Sequence, residues 1–160
     1  MQIKGNFIGK LESVTAVDRL ADQGVRVAVD VAAVMHLAHV RDLFGDELAE
    51  TWFAPLVHRT TKNKKGEERI EPVWLVDSLP KPGKKCIMEM HTAHALDLTE
   101  TAQPAFGSIK PIADSEGITI TMRFGFDATL DDAARVLAQL GQGVTVKLAP
   151  SQMDLPLAGG

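Results

Sequence analysis

Tyrosine is absent from these 160 residues, and cysteine occurs once, at Cys86. A lone thiol closes no internal disulfide, so the chain must be held by its apolar core. One reduced cysteine also agrees with a cytoplasmic setting. Aromatic residues are few, six Phe and two Trp, and only Trp52, Phe53 and Trp74 lie near a basic segment. That leaves little for the exposed stacking platforms that hold single-stranded nucleic acid. No apolar run approaches the ~20 residues of a membrane span, and MQIKGNFIGK lacks the apolar centre of a secretory signal. Membrane partners are therefore not expected.

Catalytic signatures are missing as well. There is no G-x-S-x-G, no P-loop, no G-x-G-x-x-G and no H-E-x-x-H, the patterns that position nucleophiles, phosphates, dinucleotides and zinc. Five histidines invite a metal reading, but they do not assemble a ligand set. His36 and His39 sit three apart on a predicted helix and share a face. His91 and His94 have the same spacing on a predicted strand, where it turns them to opposite faces. A zinc site needs three or four ligands, and no further ones are evident. Cys86 falls on the apolar side of its strand, where a thiol packs. The chain reads as non-enzymatic, with no metal and no cofactor; an enzyme whose site is assembled from loops is an alternative.

What is present is clear patterning. The length suits one domain, which buries roughly two thirds of the surface its unfolded chain exposes. GVRVAVDVAA places Val25, Val27, Val29 and Val31 on one face, a half-buried strand. It is expected to pair with IKGNFIGKLESV across a turn near ADQG. Residues 36–53 carry Leu37, Val40, Leu43 or Phe44, and Leu48 at helical spacing, with a break at Gly45. PLVHRTT and ERIEPVWLV flank KNKKGE as a hairpin with Gly66 in its turn, and DSLPKPGKK is a connector.

KCIMEMHTAHALDL reads as one strand with Cys86, Met88, Met90, Leu96 and Leu98 on a single side, followed by a loop around AQPAFG. In ITITMRFGF, Ile118, Ile120, Met122, Phe124 and Phe126 face in while Thr119, Thr121 and Arg123 face out. Thr129 is a predicted N-cap, with Asp131 and Asp132 complementing the helix dipole. Leu130, Ala133, Ala134, Leu137 and Leu140 form the apolar face of that helix, and Val144, Val146 and Leu148 point inward on a last strand. The fold class is α+β: an antiparallel-sheet-dominated single domain over residues 1–150 with about two helices. Hairpin, helix, strand and Ala-Pro occur near 7–55 and again near 106–150, a candidate duplicated ββαβ unit with halves 1–79 and 86–150.

Charge is unevenly placed. The net −4 divides into +4 between Arg59 and Lys85 and −8 elsewhere. The segment is either a solvated hairpin tip or a weak DNA-contacting finger, with Arg59, Lys62, Lys64, Lys65 and Arg69 as its cations.

Residues 151–160 read as an interaction tail. After Ala149-Pro150-Ser151 come Gln152, Met153, Asp154, Leu155, Pro156 and Leu157. This stretch resembles the hexapeptide by which bacterial replication and repair proteins bind the sliding clamp. That motif takes Gln first, a small or acidic residue third, Leu fourth, and Leu or Phe last. The resemblance covers six residues and leaves the family of the body open. It implies a bacterial or phage accessory of DNA replication, recombination or repair, with the sliding clamp as partner. Two other uses of the tail stay open. Leu155 and Leu157 are able to fold back onto the body, and the terminal Gly159-Gly160 resembles ubiquitin-like modifiers and sulfur carriers. Those folds place a central helix directly after an N-terminal hairpin, an order that the predicted helix at 129–140 fits badly.

Overall fold

Alternation at period two dominates the chain, and it becomes sheet. The computed structural model describes residues 3–19, 24–83, 85–92, 97–102, 105–112 and 116–150, with 97–102 and 105–107 described by backbone alone. β1 (Gly5–Arg19) and β2 (Val25–Met35) form the first hairpin. α1 (Leu37–Phe44) and α2 (Asp46–Phe53) follow, then the ribbon of β3 (Leu56–Lys62) and β4 (Glu68–Trp74). β5 (Cys86–His91), β6 (Asp97–Ala102), β7 (Ala105–Pro111), β8 (Ile118–Ala128), α3 (Leu130–Ala138) and β9 (Gly143–Pro150) complete the order. Seven strands make one antiparallel sheet, β6-β5-β9-β1-β2-β8-β7, while β3 and β4 pair only with each other. β6 also approaches β8, so the sheet curls back on itself.

The sheet has a dry face and a wet face. Phe7, Leu11, Val29, Met88, Met122, Phe124 and Val146 all lie on the dry one. α1 and α2 add Val40, Leu43, Phe44, Leu48 and Trp52 to this core. Gly45, at φ 98°, is the break between them, a backbone conformation that glycine adopts without a Cβ penalty. Arg41 and Asp46 pair across it at 2.9 Å. Gly9 has a different reason: a Cβ there would come within 2.5 Å of the Val31 side chain and 3.0 Å of the Ala32 carbonyl.

The wet face of the longest ladder carries an ion pair. β2 and β8 pair over eleven positions, from Val25 opposite Ala128 to Met35 opposite Ile118, with Asp30 opposite Arg123 at the midpoint. Arg123 donates to both carboxylate oxygens of Asp30, at 2.8 and 3.0 Å, and the Ser13 hydroxyl donates at 2.7 Å. A constant sequence offset also relates the two arms and runs into the helices. Ile118 stands 93 residues after Val25, and Leu130 stands 93 residues after Leu37 (118 − 25 and 130 − 37). β9 then returns to the sheet beside β1, whereas the chain after α2 leaves it for the β3–β4 ribbon.

The α+β class and the break at Gly45 are as expected, the break making three helices among the described residues. Several other expectations need correction. Residues 86–98 are not one strand: β5 and β6 are antiparallel neighbours with Met90 opposite Leu98, and Leu96 lies outside the described residues. The stretch around AQPAFG is not simply a loop, since Ala105–Pro111 pairs with β8. Leu37 is partly exposed rather than core. On α3 most of the expected apolar face is turned out: Leu130 and Leu137 are 54% and 55% exposed, while Ala133 packs against the core and the fully buried side chain is Val136. Thr129 does cap this helix, its hydroxyl accepting from Asp132 N–H at 3.1 Å.

Burial orders the expected costs of truncation. Phe124→Ala should cost about 3–5 kcal/mol and Val136→Ala about 2 kcal/mol. Leu137→Ala should stay within about 0.5 kcal/mol. Chemical denaturation of the three variants checks the order, and a costly Leu137→Ala would mean that α3 is rotated. Charge gives a second expectation, at Asp30. The Arg123 hydrogen bonds hold its carboxyl below the usual carboxylate range, against the opposing effect of burial and with help from Ser13. A depressed folded pKa means the contribution is complete above the unfolded value of about 3.9 and is lost as pH falls through the folded one. Asp30→Asn should therefore flatten the acid limb of the stability profile.

Candidate functional site

The β3–β4 ribbon carries the basic segment, and its ladder decides which cations are available. Arg59 stands opposite Glu71 and Lys62 opposite Glu68, while Arg69 faces Thr61. Opposite charges across a ladder offset one another, so within the ribbon the cations with no acidic residue opposite are Arg69 and, at the tip beside Glu67, exposed Lys64 and Lys65. The tip has a defined shape. Asn63 Oδ1 accepts from the backbone N–H of Lys65 and of Glu67, both at 2.9 Å. Gly66 takes the positive φ of 81° that the turn requires. The nearby aromatics do not serve the tip. Trp52 is fully buried, stacks edge-on against Phe44 at 5.5 Å and donates its indole N–H to the Pro80 carbonyl at 2.6 Å. Phe53 and Trp74 are half-buried against the core, and Trp74 donates to the Trp52 carbonyl at 2.8 Å.

Gln152, Met153, Asp154, Leu155, Pro156 and Leu157 lie outside the described residues, so the structure bears on them only through their point of departure. β9 is held on both sides, Leu148 opposite Gly5 of β1 and Pro150 opposite Cys86 of β5. The hexapeptide thus begins two residues past a strand anchored in the sheet. A cavity of about 290 Å³ is lined by Ile3, Phe44, Glu47, Leu48, Thr51 and the Pro80–Gly83 connector. Ile3 and Gly83 precede in sequence β1 and β5, the two strands that flank β9. No sequence signal marks this cavity, because its walls come from three separate segments.

The histidines do not converge. His36 is the N-cap residue of α1 rather than part of the helix, and it makes no side-chain cap. The His39 ring sits 3.5 Å from the Asn6 carbonyl. His91 lies 3.4 Å from Glu89 on the wet face, and His94 is outside the described residues. Among the described residues no three His, Cys, Asp or Glu side chains group to hold a metal. Cys86 is buried, as its position on the apolar side implies. No helix among the described residues is long and apolar enough to cross a membrane. Comparison of the chain with protein-family models, with curated proteins and with solved structures finds no match.

As a phosphate-contacting tip, Lys62, Lys64 and Lys65 should give weak duplex-DNA binding that falls steeply from low to physiological salt. Replacing the three with Ala should reduce the slope by roughly 0.9 for each phosphate that is no longer neutralised. A titration showing no binding at low salt would leave the tip a solvated turn.

Proposed function

We propose that this protein is a non-enzymatic accessory of DNA replication, recombination or repair, of bacterial or phage type, that docks onto the sliding clamp through residues 152–157. The observation that carries the reading is the residue pattern itself: Gln152, Asp154, Leu155 and Leu157 in the clamp-motif positions, with Pro156 in the fifth. Placement two residues past β9 supports it, since an anchored strand delivers the peptide from a fixed point.

The chemistry of such docking is simple. A short extended segment orders few residues, so its entropic cost is small. Leu155 and Leu157 fill an apolar cleft, and the Gln152 amide offers both donor and acceptor to a polar rim. Pro156 restricts the unbound chain and so limits what is lost on binding. The ribbon tip adds a weak, sequence-independent attraction to nearby phosphates and no specificity of its own.

A peptide covering 150–160 should bind a bacterial sliding clamp with about micromolar affinity, near −8 kcal/mol. In the whole protein, Gln152→Ala combined with Leu155→Ala should abolish clamp binding and leave thermal stability unchanged. Removing Gly159-Gly160 should leave clamp binding intact, whereas a modifier would lose its reactive carboxylate. The opposite pattern is a peptide that ignores the clamp, with stability falling when Leu155 and Leu157 are truncated. That result would place the segment on its own body.

A further inference from the structure

The helices α1 and α3 leave the sheet at equivalent positions, yet one is covered where the other is bare. With the 93-residue offset, Val40 and Leu43 of α1 correspond to Ala133 and Val136 of α3, and each pair turns toward the core. Phe44 corresponds to Leu137. Phe44 is fully buried because α2 lies over it, with Trp52 edge-on at 5.5 Å. Among the described residues no helix follows α3; the chain turns at Gly141 and enters β9. Leu137 and Leu130 therefore stay more than half exposed, and Leu140 is 46% exposed. One face of one helix thus lacks the helical cover that its counterpart has.

The residues on that face are complementary to themselves. Leu130, Ala134 and Leu137 form a stripe at i, i+4 and i+7, with a small residue at its centre where two helices approach closest. Asp131 and Arg135 lie together along one flank, four residues apart, both exposed. Neither has a hydrogen bond or ion pair to another described side chain. An identical helix laid antiparallel about a two-fold axis near Ala134 brings Leu130 against Leu137 of the copy. It also sets Asp131 beside Arg135 of the copy, and opposes the two helix dipoles. A parallel two-fold copy would carry its Asp131 and Arg135 to the other side of the contact, away from these residues.

We infer that α3 is the interface of a homodimer, in which the α3 of a second copy supplies the cover that α2 gives α1. The contact is isologous, as a two-fold pair requires. It is also small. A pair of nine-residue helices buries less than the ~1,200 Å² of a stable specific interface, so the dimer forms reversibly and depends on concentration. If the clamp-docking proposal holds, two copies would present two hexapeptides to a ring with repeated pockets, and avidity would exceed that of one peptide. The dimer itself does not depend on that proposal.

Sedimentation equilibrium of the whole protein without clamp, from about ten micromolar to about one millimolar, tests the inference. The expected result is a monomer–dimer equilibrium that Leu137→Glu abolishes and Val34→Glu, on the opposite sheet face, leaves unchanged. Asp131→Arg and Arg135→Asp should each weaken association by roughly three- to tenfold, and the double exchange should restore it. Because the double exchange also restores an opposite-charge pair at i, i+4 within each helix, thermal unfolding of the same variants is read alongside, and recovery of association at unchanged stability assigns the effect to the interface. A monomer at every concentration, or a dimer that survives Leu137→Glu, overturns the inference. A double exchange no better than the singles overturns the antiparallel arrangement.

Discussion

The pairing of β2 with β8 is the contact on which the rest of this molecule depends. Its eleven residue pairs join segments 83 to 103 positions apart, and the entropic cost of closing so long a loop must be met by what the ladder buries. The dry side meets that cost: Val27, Val29, Val31 and Met35 lie beside Phe126, Phe124, Met122 and Ile118, all essentially buried. The wet side sets the register. A slip of one residue would send the valines to solvent and part Asp30 from Arg123, leaving a mostly covered carboxylate without its guanidinium partner.

From that ladder outward, each hairpin adds one strand, β1 on one side and β7 on the other, and each is followed by a helix on the dry face. The two sides then diverge. α1 receives α2, and Trp52 ties the pair to the connector and to the ribbon through Pro80 and Trp74. α3 is followed at once by β9, which closes the sheet between β1 and β5. Most of the core is thereby complete without α3, which contributes one fully buried side chain, Val136.

Strands with strict alternation were legible in the sequence because burial on one sheet face imposes a period of two. The inward sets of β2, β8 and β9 are the ones the alternation implies. Thr129 and Gly45 were legible for local reasons, a hydroxyl cap and a backbone turn. Two features were not. The division of 86–98 into β5 and β6 falls where the sequence carries no glycine or proline signal. The rotation of α3 depends on tertiary packing: its apolar residues span both flanks, and amphipathicity alone does not say which part meets the sheet. Asp30 and Arg123 had a faint signal, since each strand carries one cation and one anion, but only the register pairs Asp30 with Arg123 and Arg26 with Asp127.

The candidate site was legible as residue chemistry rather than as geometry. The body gives the ribbon tip its shape through Asn63 and Gly66, and it gives the hexapeptide a fixed point of departure at Pro150. Under the proposed function, residues 152–157 recognise the partner and the sheet is the scaffold that carries them. Hydrogen exchange along the whole chain, with and without a bacterial sliding clamp, tests that division most directly. Added protection confined to residues 152–157, with the β2–β8 amides unchanged, is the predicted result; protection arising in the sheet or ribbon, with none over 152–157, would contradict it.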